Sequence, residues 1–264
     1  MSECYWQSNR HSRPLILIPD MIRKSIPNFI TCLNVVSGSL AVLFAIKGQL
    51  TVSVILIMAA AIFDFFDGMA ARWLKAYSPM GKELDSLADM ISFGLAPGAL
   101  MMVMMEYALF GLNVRAESFA GLSAWELGCI STSLLIPVFS ALRLAKFNID
   151  TRQTESFIGL PTPANALLIA ALALITEHGK YDVLDAFLLQ PVVLLLITIA
   201  MSLLLVSELP MFSLKLKNLS WKDNKVRFTF LAISAALILA FNIYGIAAAI
   251  ISFIFISVTL KLKK

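Results

Sequence analysis

The chain has 264 residues, of which 59% are hydrophobic and only 14% charged, and its mean hydropathy of +0.84 lies outside the range of soluble globular domains. These values exclude a water-soluble enzyme and predict an all-α polytopic membrane protein. The net charge of +4 predicts a basic face toward anionic headgroups and gives no sign of nucleic acid as a partner.

Residues 1–14 are polar, and residues 15–25 fit an interfacial segment ahead of the first span. Leu15-Ile16-Leu17-Ile18 is too short for the core of a signal peptide. Stretches long enough to cross a hydrocarbon core, which takes roughly 20 residues, fall at residues 28–47, 51–75, 80–105, 124–146, 162–177, 186–207, 226–241 and 243–260. About eight transmembrane helices are therefore expected, the last two divided at Asn242-Ile243-Tyr244-Gly245. With both termini cytoplasmic, only Lys47, Arg115 and Lys180 of the 21 basic residues fall outside, as the positive-inside rule requires. One domain over 1–264 is expected: an N-terminal juxtamembrane segment (1–25), catalytic helices (28–166) and C-terminal helices (186–260). Cys4, Cys32 and Cys129 read as small buried hydrophobes rather than a disulfide or zinc framework. Met101, Met102, Met104 and Met105 read as packing or lipid contacts, and Glu106, Glu117 and Glu126 as parts of an outer loop.

Against this apolar background stand Asp64, Asp67, Asp85 and Asp89. An acid in a membrane helix is costly and is by default a functional group with a partner. Asp64 and Asp67 are three apart and Asp85 and Asp89 four apart, so each pair shares one helix face. Ser78-Pro79, an N-cap followed by Pro at N1, puts a turn near residue 77. In an antiparallel hairpin the carboxylates then form two layers, about one turn apart. Gly68, Ala71, Gly81 and Ser92 line the same face with small side chains, which suits both close helix packing and a bulky polar substrate. Four carboxylates this close need cations to offset their repulsion. Oxygen-only ligands favour Mg²⁺ or Mn²⁺, and no His or Cys joins them as zinc would require. Two such ions would clamp a pyrophosphate for in-line displacement at phosphorus.

Asp64-x2-Asp67-Gly68-x2-Ala71-Arg72-x8-Gly81-x3-Asp85-x3-Asp89 resembles the complete signature of the CDP-alcohol phosphatidyltransferases, which move a phosphatidyl group from a CDP-lipid to an alcohol and release CMP. The resemblance implies a bundle of that family's type. It implies that Asp64, Asp67, Asp85 and Asp89 hold two divalent cations, Mn²⁺ or Mg²⁺, and that Asp89 doubles as general base. Gly68, Arg72, Ser78 and Gly81 match positions that meet the CDP-lipid, although Ser78 also reads as a helix N-cap and Gly81 as a packing glycine. Pro27-Asn28-Phe29-Ile30-Thr31-Cys32-Leu33-Asn34 is similar to the family's opening of its first membrane helix and adds Asn28 and Thr31. An active site facing the cytoplasm of a bacterial inner membrane, and a homodimer, are further implications.

The segments Gly81 to Pro97, Leu142 to Asn148 and Phe157 to Ala164 are similar to the branch whose alcohol is L-serine and whose lipid is CDP-diacylglycerol. Relatives commonly carry Arg where Lys146 stands and a small residue at Asn165. Serine must be held by its carboxylate as well as its hydroxyl, and Arg143 with Lys146 offers a cationic face, beside Ser92. The same pair also reads as positive-inside anchoring, and it would suit glycerol 3-phosphate, so a glycerophosphate transferase or an enzyme of CDP-archaeol remains open. A divalent-metal transporter would instead need acids spread along a transmembrane path. His178-Gly179-Lys180-x4-Asp185 matches a phospholipase D pattern, but that chemistry pairs two copies, and His11, the other histidine, lacks it.

Overall fold

The computed structural model describes residues 20–116, 118–150, 157–211 and 221–262. Most of the 1–25 segment, with Cys4, His11, Glu117 and several of the basic residues used for orientation, lies outside the described residues. Among the described residues eleven α-helices follow in order: α1 (Asp20–Ile46), α2 (Leu50–Trp73), α3 (Pro79–Asp89), α4 (Ala96–Phe110), α5 (Ala124–Thr132), α6 (Leu135–Ile149), α7 (Thr162–His178), α8 (Asp182–Leu188), α9 (Pro191–Val206), α10 (Trp221–Phe241) and α11 (Ile243–Leu262). A π-helical turn, Met90–Leu95, joins α3 to α4, so Pro79–Phe110 is one continuous helical rod of 32 residues. Two short strands, β1 (Phe157–Ile158) and β2 (Pro210–Met211), pair antiparallel.

Helix occupies every one of the eight predicted stretches, and the chain is an all-α membrane protein. Among the described residues, Ser25–Ile46, Leu50–Trp73, Pro79–Phe110, Ala124–Ile149 and Asn224–Phe241 are long and apolar enough to cross a bilayer. The stretch expected at 186–207 departs from a single rod. Asp182–Leu188 and Pro191–Val206 are bent by 62°, because Pro191 starts a new helix at its first position and its ring forbids continuation of the preceding one. The last two helices do divide at Asn242, whose φ of 54° is the left-handed conformation that reverses the chain.

The central rod is α4. Leu100, Met101, Val103, Met104 and Met105 are fully buried, so the methionine run packs the core. Glu106 is not a loop residue: it lies in α4, buried, and pairs with Arg115, which lets a carboxylate remain inside. Glu126 caps α5 through a reciprocal box with Ser123, satisfying end donors. Cys129 is buried as expected, whereas Cys32 is exposed on α1.

Apolar lipid gives helices little reason to associate by hydrophobicity, so close approach of small residues does that work. A Cβ on Gly38 of α1 would stand 2.2 Å from Ser92 Oγ and 2.9 Å from Ser92 Cα. Gly94 meets α6 in the same way, 3.0 Å from Ser140 Cβ. The π turn is thus gripped between α1 and α6. Gly38→Ala is expected to force these backbones apart and cost about 1–3 kcal/mol, seen as a lowered melting temperature in detergent; an unchanged melting temperature would contradict this packing.

Candidate functional site

The carboxylates meet between the last third of α2 and the second half of α3. Asp64, Asp67 and Asp85 each offer an oxygen, and the three lie within 4.8 Å of one another. Asp89, at the last position of α3, faces Asp64 within hydrogen-bonding reach, and its Oδ1 is buried without a hydrogen-bond partner. The close cluster mixes the two expected layers, Asp64 standing with Asp67 and Asp85, and α1 packs against both arms.

Local chemistry fixes this geometry. Lys75, at a φ of 50°, turns the chain after α2, and the Arg23 guanidinium of α1 donates to the Leu74 carbonyl there. Ser78 caps α3 by accepting from Gly81 N at 2.9 Å, and Pro79 follows at N1. Thr31 Oγ1 donates to Asp67 Oδ2 at 2.6 Å, orienting one carboxylate from α1.

Beside the aspartates lies a cavity of about 230 Å³ lined by Asn28, Thr31, Asp67, Gly68, Arg72, Ser78, Gly81 and Asp85, among others. All six residues expected to meet the CDP-lipid therefore border one space. Gly81 serves packing, since a Cβ there would meet Ser78 Oγ at 3.0 Å and Asn28 Oδ1 at 3.1 Å. Gly68 opens the space, with nothing nearer its Cβ position than Arg72 at 4.0 Å. The donor set is all carboxylate, partly sheltered in apolar helices, and includes the unengaged Asp89 Oδ1. It fits hard divalent cations with oxygen ligands.

The residues expected at the alcohol are not gathered together. Arg143 is buried, faces Asp89 electrostatically, and donates from Nη1 to Thr162 Oγ1 at 3.2 Å. Lys146 points elsewhere and pairs with Glu208 at 3.0 Å, both side chains substantially exposed. Lys146 thus meets the connection between α9 and β2, where Glu208 lies. Ser92 is fully buried and donates to Asn34 Oδ1 at 2.6 Å, which makes it a contact between α1 and the π turn. Sequence reasoning gave no role to Asn34, Thr162 or Asn165. The cue available was polar residues within apolar stretches, at Asn34 and in Thr162-Pro163-Ala164-Asn165.

His178 lies 3.4 Å from Thr51 Oγ1, at the start of α2. Thirteen residues separate Thr51 from Asp64, about 20 Å along a helix. Accordingly, His178→Ala is expected to leave CMP release unchanged, and loss of turnover in that variant would revive a histidine nucleophile.

The family description CDP-alcohol phosphatidyltransferase matches residues 24–260. The chain is 34% identical over 184 residues to the CDP-diacylglycerol--serine O-phosphatidyltransferase of Bacillus subtilis, covering 70% of this chain and 88% of that protein. It is 37% identical over 163 residues to the protein of that name from Mycobacterium bovis, covering 59% of this chain and 51% of the relative, so it spans about half of that longer protein. The archaetidylserine synthase of Methanothermobacter thermautotrophicus is 32% identical over 187 residues, 70% of this chain and 68% of the relative. The family match takes in both arms of the aspartate hairpin and every residue around the cavity, and the chain belongs to the CDP-alcohol phosphatidyltransferase family.

Proposed function

We propose that this enzyme transfers the phosphatidyl group of CDP-diacylglycerol to the hydroxyl of L-serine, giving phosphatidylserine and CMP, at the cytoplasmic face of a bacterial inner membrane. The observation that carries the reading is the convergence of three aspartate carboxylates within 4.8 Å beside a cavity bordered by Asn28, Thr31, Gly68, Arg72, Ser78 and Gly81. The relatives' names supply the alcohol and the lipid.

Asp64, Asp67, Asp85 and Asp89 would hold two divalent cations, Mg²⁺ or Mn²⁺, which when bound supply positive charge to the pyrophosphate. Arg72, at the cavity wall, adds a planar cation suited to phosphate oxygens. Thr31 holds Asp67 in register through its hydroxyl. Asp89 accepts the serine hydroxyl proton as the serine oxygen bonds to the phosphorus that carries diacylglycerol, and the bond from that phosphorus to the CMP oxygen breaks. CMP leaves as a phosphomonoester with a second pKa of about 6, so its departure needs no acid. Arg143, buried beside Asp89, balances that carboxylate and binds the serine carboxylate. The displacement is direct, for the cavity wall carries no strong covalent nucleophile.

The test is CMP release from CDP-diacylglycerol in detergent with L-serine or glycerol 3-phosphate as the alcohol. Serine-dependent release supports the reading; release that needs glycerol 3-phosphate and ignores serine would sink it. The relative named for archaetidylserine motivates a parallel assay with CDP-archaeol, in which faster turnover would reassign the lipid and leave the alcohol unchanged.

A further inference from the structure

Eight buried side-chain polar atoms lack a hydrogen-bond partner among the described residues, and half of them sit on three residues: Asp89 Oδ1, Arg143 Nε, and both Oδ1 and Nδ2 of Asn165. Asn165 is fully buried. An amide offers two donors and two acceptor lone pairs, and leaving all of them dry and unpaired is rare and costly enough to signal a missing ligand.

The elements that carry the three residues meet at the π turn. Asp89 ends α3, just before the π turn Met90–Leu95. Both α6, which carries Arg143, and α7, which carries Asn165, pack against that turn. Thr162 at the start of α7 accepts from Arg143, and Asn165 lies one turn further along the same face.

We infer that Asn165 reads the ammonium group of the amino-alcohol substrate and so sets the enzyme's choice of serine over anionic alcohols. The inference rests on serine being the alcohol. Serine carries three polar groups around one carbon skeleton. Asp89 takes the hydroxyl proton, and the Arg143 Nε–H is available to the carboxylate. The ammonium then needs a buried acceptor, which Asn165 Oδ1 provides. A neutral amide does this without adding another negative charge beside four aspartates. 3-Hydroxypropanoate has no donor to place there, so its binding would leave Oδ1 buried and unpaired, the situation in which a polar site discriminates most strongly.

The experiment compares wild type, Asn165→Ala and Asn165→Asp with L-serine and with 3-hydroxypropanoate, which is serine stripped of its ammonium. In Asn165→Ala the KM for L-serine should rise at least about tenfold, with kcat and the KM for CDP-diacylglycerol unchanged. Wild type should use 3-hydroxypropanoate poorly, and Asn165→Ala should not worsen that use. Asn165→Asp keeps an acceptor at the cost of an added charge and should hold the serine KM below that of Asn165→Ala. An unchanged serine KM, equal losses with both alcohols, or a parallel rise in the CDP-diacylglycerol KM would overturn the inference while wild-type serine turnover stands. Wild type turning over glycerol 3-phosphate but not serine would instead overturn the substrate assignment. If Asn165→Ala does not fold, wild type alone decides: L-serine should raise its melting temperature at concentrations at least about tenfold below those at which 3-hydroxypropanoate does, and equal potency contradicts an ammonium acceptor.

Discussion

Asp89→Asn is expected to lower CMP release by about 10²- to 10⁴-fold, the range over which a positioned general base contributes, while leaving the protein folded. The amide matches the carboxylate in size, and its oxygen can still accept from a neighbour, so α3 and the π turn keep their places. What is lost is the group that takes the alcohol proton and one of the four carboxylates that would hold the cations. Asp89 is the natural choice for that role because Oδ1 is buried and unengaged, whereas Asp67 is held by Thr31 and Asp64, Asp67 and Asp85 share one close cluster. Initial rates at saturating substrates, with a detergent melting curve beside them, make the check. Near-normal turnover in a folded Asp89→Asn protein would move the base elsewhere.

Arg143→Ala carries the second large effect, and it should act on both stability and serine. The guanidinium is buried, donates to Thr162, stacks 5.7 Å from the Phe147 ring centroid and balances Asp89. Removing the guanidinium takes away the donor to Thr162 and its packing on Phe147, which costs about 1–3 kcal/mol and should appear as a drop in melting temperature. In molecules that survive, the KM for L-serine should rise by at least about tenfold, equivalent to about 1.4 kcal/mol. Arg143→Lys should recover part of the stability but little of the serine affinity, since an ammonium lacks the planar fork. Lys146→Ala is the contrast. Its exposed pairing with Glu208 is worth about 0–1 kcal/mol, so both readouts should barely move. A serine KM that responds to Lys146 and not to Arg143 would invert this assignment.

The aspartate hairpin could be read from the chain because helical period and a Ser-Pro cap determine where each carboxylate falls. Six residues expected at the nucleotide share one cavity for the same reason, since each is anchored to that hairpin or to the opening turns of α1. The alcohol pocket was less legible. Arg143 and Lys146 look equivalent at a helix end, and only the position of Glu208, some sixty residues later, separates them. Ser92 looks like a small polar lining residue until Asn34 and Gly38 of α1 are seen to close on it. The π turn adds an extra residue to a helical repeat, and Met90–Leu95 carries no local composition that announces it; such turns often occur at functional sites. Glu106 reads as a loop residue because it falls just past the 80–105 stretch, whereas α4 runs on to Phe110 and its partner Arg115 sits in the following loop.

The most direct test of the account is the transfer of labelled L-serine into organic-extractable lipid by the purified protein in nanodiscs containing CDP-diacylglycerol. The assay is run with and without a chelator, and on Asp85→Asn in parallel. The account predicts one serine incorporated per CMP released, loss of both on chelation, recovery with Mn²⁺ or Mg²⁺, and no incorporation by Asp85→Asn. Labelled lipid that persists in Asp85→Asn or in the chelated enzyme, or CMP released without serine incorporation, would contradict it.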